Sequence, residues 1–171
     1  RGKKGSEYEG GVRVPFIAAW AKPDAKNKFQ KKYPIAQNAV QLQQGTVMDL
    51  YPTILSVAHV KSPKHYALDG ADLKKLLQGK EDKKHRDDFL MHFPHGEHRA
   101  NYFTTYRKGD WKLIYYYNPE TTGVPTWKLY NLKDDPYEKT EVSAEYPEKT
   151  ASMIEQMKDR LKEENALYPE E

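Results

Sequence analysis

GKKGSEYEGGVRVPFIAAW, residues 2–20, is the stretch that sets the expectations for this chain. It opens with a cationic, glycine-rich loop at Gly2–Ser6. Glycine adopts positive φ angles and lets the backbone approach a ligand closely. A lysine between glycines carries a mobile point charge that suits a compact oxyanion. The loop therefore predicts an anion contact.

A nearly continuous apolar run, Val12–Trp20, follows the loop and is interrupted only by Arg13 and Pro15. The run is long enough for a strand that is buried on both faces, which is typical of an α/β sheet. Such sheets keep their sites in the loops at the strand ends. We therefore expect a central strand next to the anion-contacting loop.

Composition narrows the function classes. The chain has 171 residues, of which 37% are hydrophobic and 31% charged, and this suits one domain or one subdomain with the edge of another. The net charge of +3 is small and the basic residues are dispersed among acids, which argues against nucleic-acid binding. No apolar stretch approaches the roughly 20 residues that a membrane span needs. The absence of cysteine excludes disulfides within this sequence.

Residues Lys4–Pro15 carry the pattern K-G-x-x-x-E-G-G-x-R-x-P, which resembles the signature of the type I sulfatases. These are the arylsulfatase-like, formylglycine-dependent branch of the alkaline phosphatase superfamily. Further stretches occur in the order of that family: Asp49–Leu55, Leu68–Gly70, Arg107–Ile114, and Leu129–Leu132 with Asp135–Pro136. The resemblance extends from the first residue to about Pro147, and several ordered motifs are more specific than any one of them.

The resemblance also implies which parts of a sulfatase are elsewhere. The family's nucleophile, a Cys or Ser in C/S-x-P-x-R that matures to formylglycine, lies far upstream of the Lys4 motif. The calcium-binding carboxylates and the catalytic histidine are upstream too. This chain has no cysteine and no serine in that pattern. We therefore expect the C-terminal part of a sulfatase, inactive alone, whose partners are an upstream N-terminal sulfatase domain and a sulfated small molecule or carbohydrate. The family resemblance further implies a periplasmic or secreted protein.

The second half of the chain is typical of an antiparallel sheet. Alternating apolar residues predict strands at Phe89–Phe93, Tyr102–Tyr106, Trp111–Tyr117 and Trp127–Leu132. A helix is predicted for residues 147–164 because its apolar residues recur at helical spacing and a proline suits its first turn. In the third strand the odd-numbered residues from Trp111 face one way, and Lys112, Ile114 and Tyr116 face the other.

The predicted fold class is α+β. Residues 1–86 form the end of an α/β sulfatase core, in which Ala21–Tyr33 is an exposed loop and Thr46–Ala58 a helix capped by Asp49. Residues 87–171 form a C-terminal subdomain with a four-stranded antiparallel sheet packed by a terminal helix. The resemblance implies that this arrangement is part of an alkaline phosphatase-like fold.

Lys4 is the candidate catalytic residue. The resemblance implies that its ammonium contacts a sulfate oxygen, and such a cation would offset charge as the S–O bond breaks. The alternative is a solvated lysine near a chain end. Lys3 is off the motif and is expected to be solvated. Glu9 and Arg13, four residues apart, are interpreted as a structural ion pair or backbone clamp rather than as acid–base groups.

Three histidines, His92, His95 and His98, recur at three-residue spacing within Met91–Arg99. Histidine is a common metal ligand, so the spacing could suggest a metal site. A proline and a glycine between them interrupt any helix, and the segment has no cysteine, so the imidazoles need not converge. We assign no metal ligand in this chain.

Two other interpretations of the same loop stay open. Sulfatases that act on carbohydrates use loops of the C-terminal subdomain at the pocket rim, and histidine with arginine would suit hydroxyl and sulfate groups. Alternatively, the neighbouring backbone satisfies these histidines. The candidate substrate-binding residues are His92, His95 and Arg99.

The sequence thus predicts hydrolysis of a sulfate ester, in a sulfated carbohydrate, to alcohol and inorganic sulfate. The resemblance implies Ca²⁺ and formylglycine as cofactors, both in the upstream part. One alternative is a phosphonate or phosphate ester hydrolase of the same superfamily. Another is a non-catalytic carbohydrate-binding or accessory module, for which the aromatic residues of the sheet could form a stacking platform. We expect those aromatic residues to pack the sheet instead.

Overall fold

The computed structural model describes residues 1–94, 102–117, 123 and 125–169. The chain forms two compact units, one made of Arg1–Pro15 with Asp88–Glu171 and the other of Phe16–Asp87. The second boundary lies between Asp87 and Asp88. The N-terminal segment differs from the expectation, because Arg1–Pro15 belongs to the unit that contains the sheet.

The sheet has four antiparallel strands in the order β1-β2-β3-β4. Their bounds are β1, Asp88–Phe93; β2, Phe103–Lys108; β3, Trp111–Tyr116; and β4, Trp127–Asn131. Gly109, with φ of +56°, lies in the tight turn between β2 and β3, where a left-handed residue is needed. The four predicted strands and their antiparallel meander are confirmed.

The two faces of the sheet carry separate cores. One face packs against helix α5, Pro147–Glu163, through a cluster that includes Leu113, Leu129 and Met157. The opposite face presents Ile114 and Tyr116, and there the N-terminal segment contributes Tyr8. The predicted alternation along β3 is confirmed. The N-terminal segment therefore packs against the face of the sheet opposite α5.

In the sheet unit, the N-terminal segment also contains a short helix α1, Glu9–Val12. The other unit contains α2, Lys28–Lys32; a 3₁₀ turn, Val47–Asp49, that continues into α3, Leu50–Val57; and α4, Lys74–Leu77. None of the helices in the described part of the chain is long and apolar enough to cross a membrane.

Two local expectations in the second unit need correction. Thr46, rather than Asp49, begins the helical segment, and Asp49 is the third residue of a capping box in which its carboxylate accepts the Thr46 backbone N–H at 2.7 Å. The segment Ala21–Tyr33 is not entirely loop. It contains α2, because the Asn27 side chain accepts the N–H groups of the first helical turn.

The expected strand at Val12–Trp20 is not formed. Val12 ends α1, and residues 13–20 have no regular secondary structure. Val14 is 79% exposed and Ile17 is 90% exposed. A strand needs a neighbouring strand for its backbone N–H and C=O groups, and no strand among the described residues pairs with this run. The apolar pattern therefore predicts a strand for which the described residues supply no pairing partner.

Candidate functional site

Lys4 lies at the apex of a tight turn. The Ser6 N–H donates to the Lys3 carbonyl at 2.9 Å, and the Lys3 N–H donates to the Ser6 hydroxyl at 3.2 Å. Gly5 has a φ of +86°, a left-handed conformation that an L side chain rarely adopts. The Lys4 residue itself is exposed. The Lys4 side chain therefore extends into solvent from a backbone turn that is closed by hydrogen bonds, and an anion can approach its ammonium.

The turn is seated on the two glycines of α1. The Gly10 N–H donates to the Arg1 carbonyl at 2.8 Å. A Cβ atom on Gly11 would lie 2.9 Å from the Lys3 carbonyl oxygen and would overlap the Ser6 carbonyl oxygen. Close backbone approach is thus the reason for glycine at these positions, and the Lys4 turn packs directly on α1.

α1 is in turn held by buried charges. Glu9 Oε1 lies 3.1 Å from Lys112 Nζ, and Glu9 Oε2 lies 3.2 Å from Arg107 Nη1. Lys112 Nζ also lies 2.8 Å from Glu138 Oε1, an ion pair whose angles fall outside hydrogen-bond geometry. Glu138 Oε2 accepts the Glu9 backbone N–H at 2.7 Å. We call Glu9, Lys112, Glu138 and Arg107 the Lys112 network.

The expected Glu9–Arg13 pair is present but is the longest of these contacts, at 4.0 Å, and Arg13 is exposed. The shorter partners of Glu9 come from the sheet and from the segment after β4. Two carboxylates and two cations make the network neutral, which is the condition under which buried charges are tolerated. Glu9 therefore acts as the backbone clamp that its sequence context favours.

A second clamp holds the residues between the Lys4 turn and α1. The Tyr116 hydroxyl donates to Glu7 Oε1 at 2.7 Å and lies 3.5 Å from the Tyr8 hydroxyl, which accepts from Lys128 Nζ at 3.4 Å. Burial raises the pKa of Tyr116, and the hydrogen bonds with Tyr8 and Glu7 raise it further. Tyr116 thus stays protonated at neutral pH and remains a donor.

His92 lies in β1 with both ring nitrogens engaged. Nε2 is 2.6 Å from the Leu167 carbonyl, which can only accept, so Nε2 carries a proton. Nδ1 is 2.7 Å from the Thr104 hydroxyl. The ring also makes edge contacts with Tyr117 and Tyr168. Its role as a substrate contact stays a prediction, and in this structure a sugar would have to displace one of these partners.

The other two candidate substrate-binding residues, His95 and Arg99, lie outside the described residues. Within the described ranges, no group of three or more His, Cys, Asp or Glu side chains could hold a metal ion. Tyr115 stacks on Trp127 at 4.2 Å between ring centroids, and both pack against the core beneath α5. This arrangement favours the packing interpretation of the sheet aromatics.

Sequence reasoning did not single out Lys112 and Glu138. The signal for Lys112 was available, because the alternation of β3 places it on the same face as Ile114 and Tyr116. A lysine at an inward-facing strand position requires a buried carboxylate partner. No comparable pattern marks Glu138, which lies in an irregular segment after β4.

Comparison with known proteins gives a consistent result. The family model described as N-sulphoglucosamine sulphohydrolase, C-terminal, matches residues 3–166. A sulfatase of Formosa agariphila is 34% identical over 175 residues, which cover 94% of this chain and 28% of the relative. Human N-acetylgalactosamine-6-sulfatase is 28% identical over 184 residues, covering 92% of this chain and 33% of the relative. The chain thus spans about a third or less of these relatives.

Among solved structures, the fold is similar to that of a protein in complex with its substrate D-glucosamine-2-N,6-O-disulfate. The TM-score is 0.62 at 27% identity, and the match covers 75% of this chain and 26% of that chain. The family match spans the Lys4 turn, the Lys112 network and the sheet together. The chain therefore belongs to the N-sulphoglucosamine sulphohydrolase C-terminal family and is the C-terminal part of a sulfatase of the alkaline phosphatase superfamily.

Proposed function

We propose that the whole protein hydrolyses sulfate esters to an alcohol and inorganic sulfate, and that this chain contributes Lys4 to the sulfate pocket. The observation that carries the proposal is the construction of the Lys4 turn. An exposed ammonium stands on a backbone turn that is closed by hydrogen bonds and seated on α1. A cation held in this way suits a small tetrahedral anion better than a lysine on a mobile terminus would.

The chemical role of Lys4 follows from the charge that develops in the reaction. As a nucleophile of the upstream domain forms a bond to sulfur, the ester S–O bond breaks, and its electron pair moves to the alcohol oxygen, which develops negative charge beside the charge that the non-bridging oxygens already carry. A positioned ammonium offsets this charge without reorganising during the reaction. Lys4 acts as an electrostatic stabiliser of the transition state and transfers no proton.

The described residues do not fit the calcium ion or the formylglycine that the family resemblance implies. No group of three or more His, Cys, Asp or Glu side chains among them could hold a metal ion, and the sequence contains no cysteine or serine in the C/S-x-P-x-R pattern. We place both cofactors, and the catalytic histidine, in an upstream domain of the same protein, which is then the main partner of this chain. Localisation in the periplasm or outside the cell is part of the same proposal.

A sulfated carbohydrate is the proposed substrate class. The support is the family description and the sulfated glucosamine bound by the similar solved structure. His92, His95 and Arg99 are the proposed rim contacts, since imidazole and guanidinium groups donate hydrogen bonds to hydroxyl and sulfate oxygens. Arg99 is the one that would pair with a second sulfate or a carboxylate on the sugar.

The test uses the full-length protein and two matched variants, Lys4→Ala and Lys3→Ala. Sulfate release is measured from D-glucosamine-2-N,6-O-disulfate and from p-nitrophenyl sulfate. Removing one positioned donor from an anionic transition state costs about 10²–10³-fold in rate, so we expect a loss of this size for Lys4→Ala. Lys3→Ala, which removes the same charge one residue away, should keep nearly full activity.

If Lys4→Ala keeps the full activity that is expected of Lys3→Ala, Lys4 has no role in the mechanism. Hydrolysis of a phosphonate ester, with no release of sulfate from either compound, would support the related phosphonate or phosphate ester hydrolase. Binding of the sulfated sugar without any hydrolysis would support a carbohydrate-binding module.

A further inference from the structure

We propose that Lys112 and Glu138 are positioning residues, which set the location of the Lys4 ammonium by fixing the start of α1. The inference rests on the sulfate contact proposed for Lys4. It adds two residues from distant parts of the chain, one in β3 and one after β4, to the machinery of the sulfate pocket. Both would act through Glu9 and the glycine pair of α1.

The burial of these charges is the first argument. Lys112 is 1% exposed and Glu138 is 0% exposed, and Lys112 lies on the sheet face that also carries Phe103, Ile114 and Tyr116 of the hydrophobic core. Taking an ammonium and a carboxylate out of water is costly, and well-packed apolar residues often give equal or greater stability in such places. Packing alone therefore does not require a charge pair here. A charge pair does impose one geometry on the groups that it binds.

The geometry that it imposes is the start of α1. Glu138 contacts Lys112 with one carboxylate oxygen and accepts the Glu9 backbone N–H at 2.7 Å with the other. Lys112 also holds the Glu9 side chain at 3.1 Å. Glu9 is thus bound at both its backbone and its side chain by the same buried pair. Arg1 adds a contact from its guanidinium to the Glu138 carbonyl at 3.2 Å.

The connection from Glu9 to Lys4 is made by backbone contacts. Gly10 and Gly11 follow Glu9 directly, and they form the surface on which the Lys4 turn rests. Gly10 and Gly11 have no side chain of their own that could absorb a shift between the two backbone segments. A displacement of Glu9 would therefore be passed to the Lys3 and Ser6 carbonyls, and so to Lys4. A misplacement of about 1 Å in a catalytic group can cost about 10²-fold in rate.

The experiment is a double-mutant cycle in the full-length protein between Lys4→Ala and Glu138→Gln. Glutamine keeps the size of the side chain but removes its charge. We expect Glu138→Gln to lower kcat/KM by about 10-fold to 10²-fold with the sulfate ester that the parent hydrolyses faster. In the Lys4→Ala background the same change should cause no further loss, because there is no ammonium left to misplace. Glu155→Gln, at an exposed glutamate of α5, is the matched control.

A second variant separates positioning from folding. Replacing the pair by Lys112→Met with Glu138→Leu removes two opposite buried charges together and leaves Glu9 paired with Arg107, so the melting temperature should stay close to that of the parent. The proposal requires that kcat/KM still falls as it does for Glu138→Gln. If the apolar pair restores activity together with stability, the role is structural and the proposal fails.

The cycle also separates the two proposals. Losses that multiply in the double variant would show that Glu138 acts independently of Lys4, which overturns the positioning role and leaves the sulfate contact intact. Full activity of Lys4→Ala, or no sulfate release by the parent protein, would instead remove the proposed function and this inference with it.

Discussion

The partly buried hydroxyl of Tyr117 makes the stability of the sheet unit depend on pH in the alkaline range. Its hydroxyl lies 2.7 Å from the Thr104 hydroxyl and 3.3 Å from Nδ1 of His92. Burial raises the pKa of Tyr117 to about 12 from 10.0, partly offset by the Thr104 hydrogen bond. A pKa that is higher in the folded state means that the neutral form stabilises the fold. This contribution is complete below pH 10 and is lost as the pH rises through about 12.

We therefore expect Tyr117→Phe to flatten the fall of melting temperature between pH 10 and 12. At neutral pH the variant should be less stable than the parent by about 0.5–1.5 kcal/mol, because a hydrogen-bonded hydroxyl is removed. The measurement is thermal unfolding across this pH window. Tyr137→Phe is the control, since Tyr137 is exposed and its loss should leave the slope unchanged. Parallel curves for Tyr117→Phe and the parent would contradict the assignment.

Individual site residues could be predicted only where neighbouring residues in the sequence form a recognisable pattern around them. Lys4 was predicted because it lies in the sulfatase-like pattern K-G-x-x-x-E-G-G-x-R-x-P, which is continuous in sequence. Glu138 could not be found in this way, because its partners lie 129 residues away at Glu9 and in a separate strand at Lys112. A buried ion pair between distant segments leaves no periodic trace in either segment. Only the inward-facing register of Lys112 indicated that such a partner must exist.

α1 is the element that links the sheet to the Lys4 turn, and its glycines contradict ordinary helix propensity. Alanine is favoured over glycine inside a helix by about 1 kcal/mol. At Gly11, however, a Cβ atom would overlap the Ser6 carbonyl oxygen. The close approach of two backbone segments therefore decides this position, and helix propensity does not.

We expect Gly11→Ala to destabilise the protein by about 1–3 kcal/mol, the usual cost of inserting a methyl group where the structure has no room. Gly45→Ala is the matched control, because Gly45 is exposed and its new methyl group would meet side chains rather than backbone, Leu73 at 3.3 Å and Asp49 at 3.8 Å. That change should stay within about 0.5 kcal/mol. Chemical denaturation of both variants checks this, and a stabilised Gly11→Ala protein would mean that the turn is not packed on α1.

Elements with a strong internal pattern were predicted well, and elements that depend on a partner were not. The alternation of β3 and the helical spacing of α5 are properties of each segment, and both were predicted within a residue or two. The run Val12–Trp20 has an equally strong apolar pattern, but no strand in the described part of the chain pairs with it. The pattern therefore predicts a strand that does not form, because a strand needs a partner for its backbone groups.

At the level of the complete protein, the exposed apolar residues indicate that part of this chain's surface is normally covered. Val14 and Ile17 are largely exposed, and Val40 and Leu42 in the second unit are exposed as well. Contiguous exposed apolar surface on a soluble protein usually marks a contact with another segment or chain. We therefore expect the proposed upstream domain to cover the Val12–Trp20 run.

This argument predicts that one substitution has different effects in the chain produced alone and in the full-length protein. In the chain produced alone, Ile17→Lys replaces an exposed isoleucine, so it should reduce self-association in sedimentation experiments without lowering the melting temperature. In the full-length protein the same lysine would be buried without a partner, which costs about 3–5 kcal/mol and should lower the melting temperature clearly. Ser62→Lys, which adds the same charge at an exposed polar position, should be neutral in both. If Ile17→Lys is also neutral in the full-length protein, the run remains at the surface there and the upstream domain packs elsewhere.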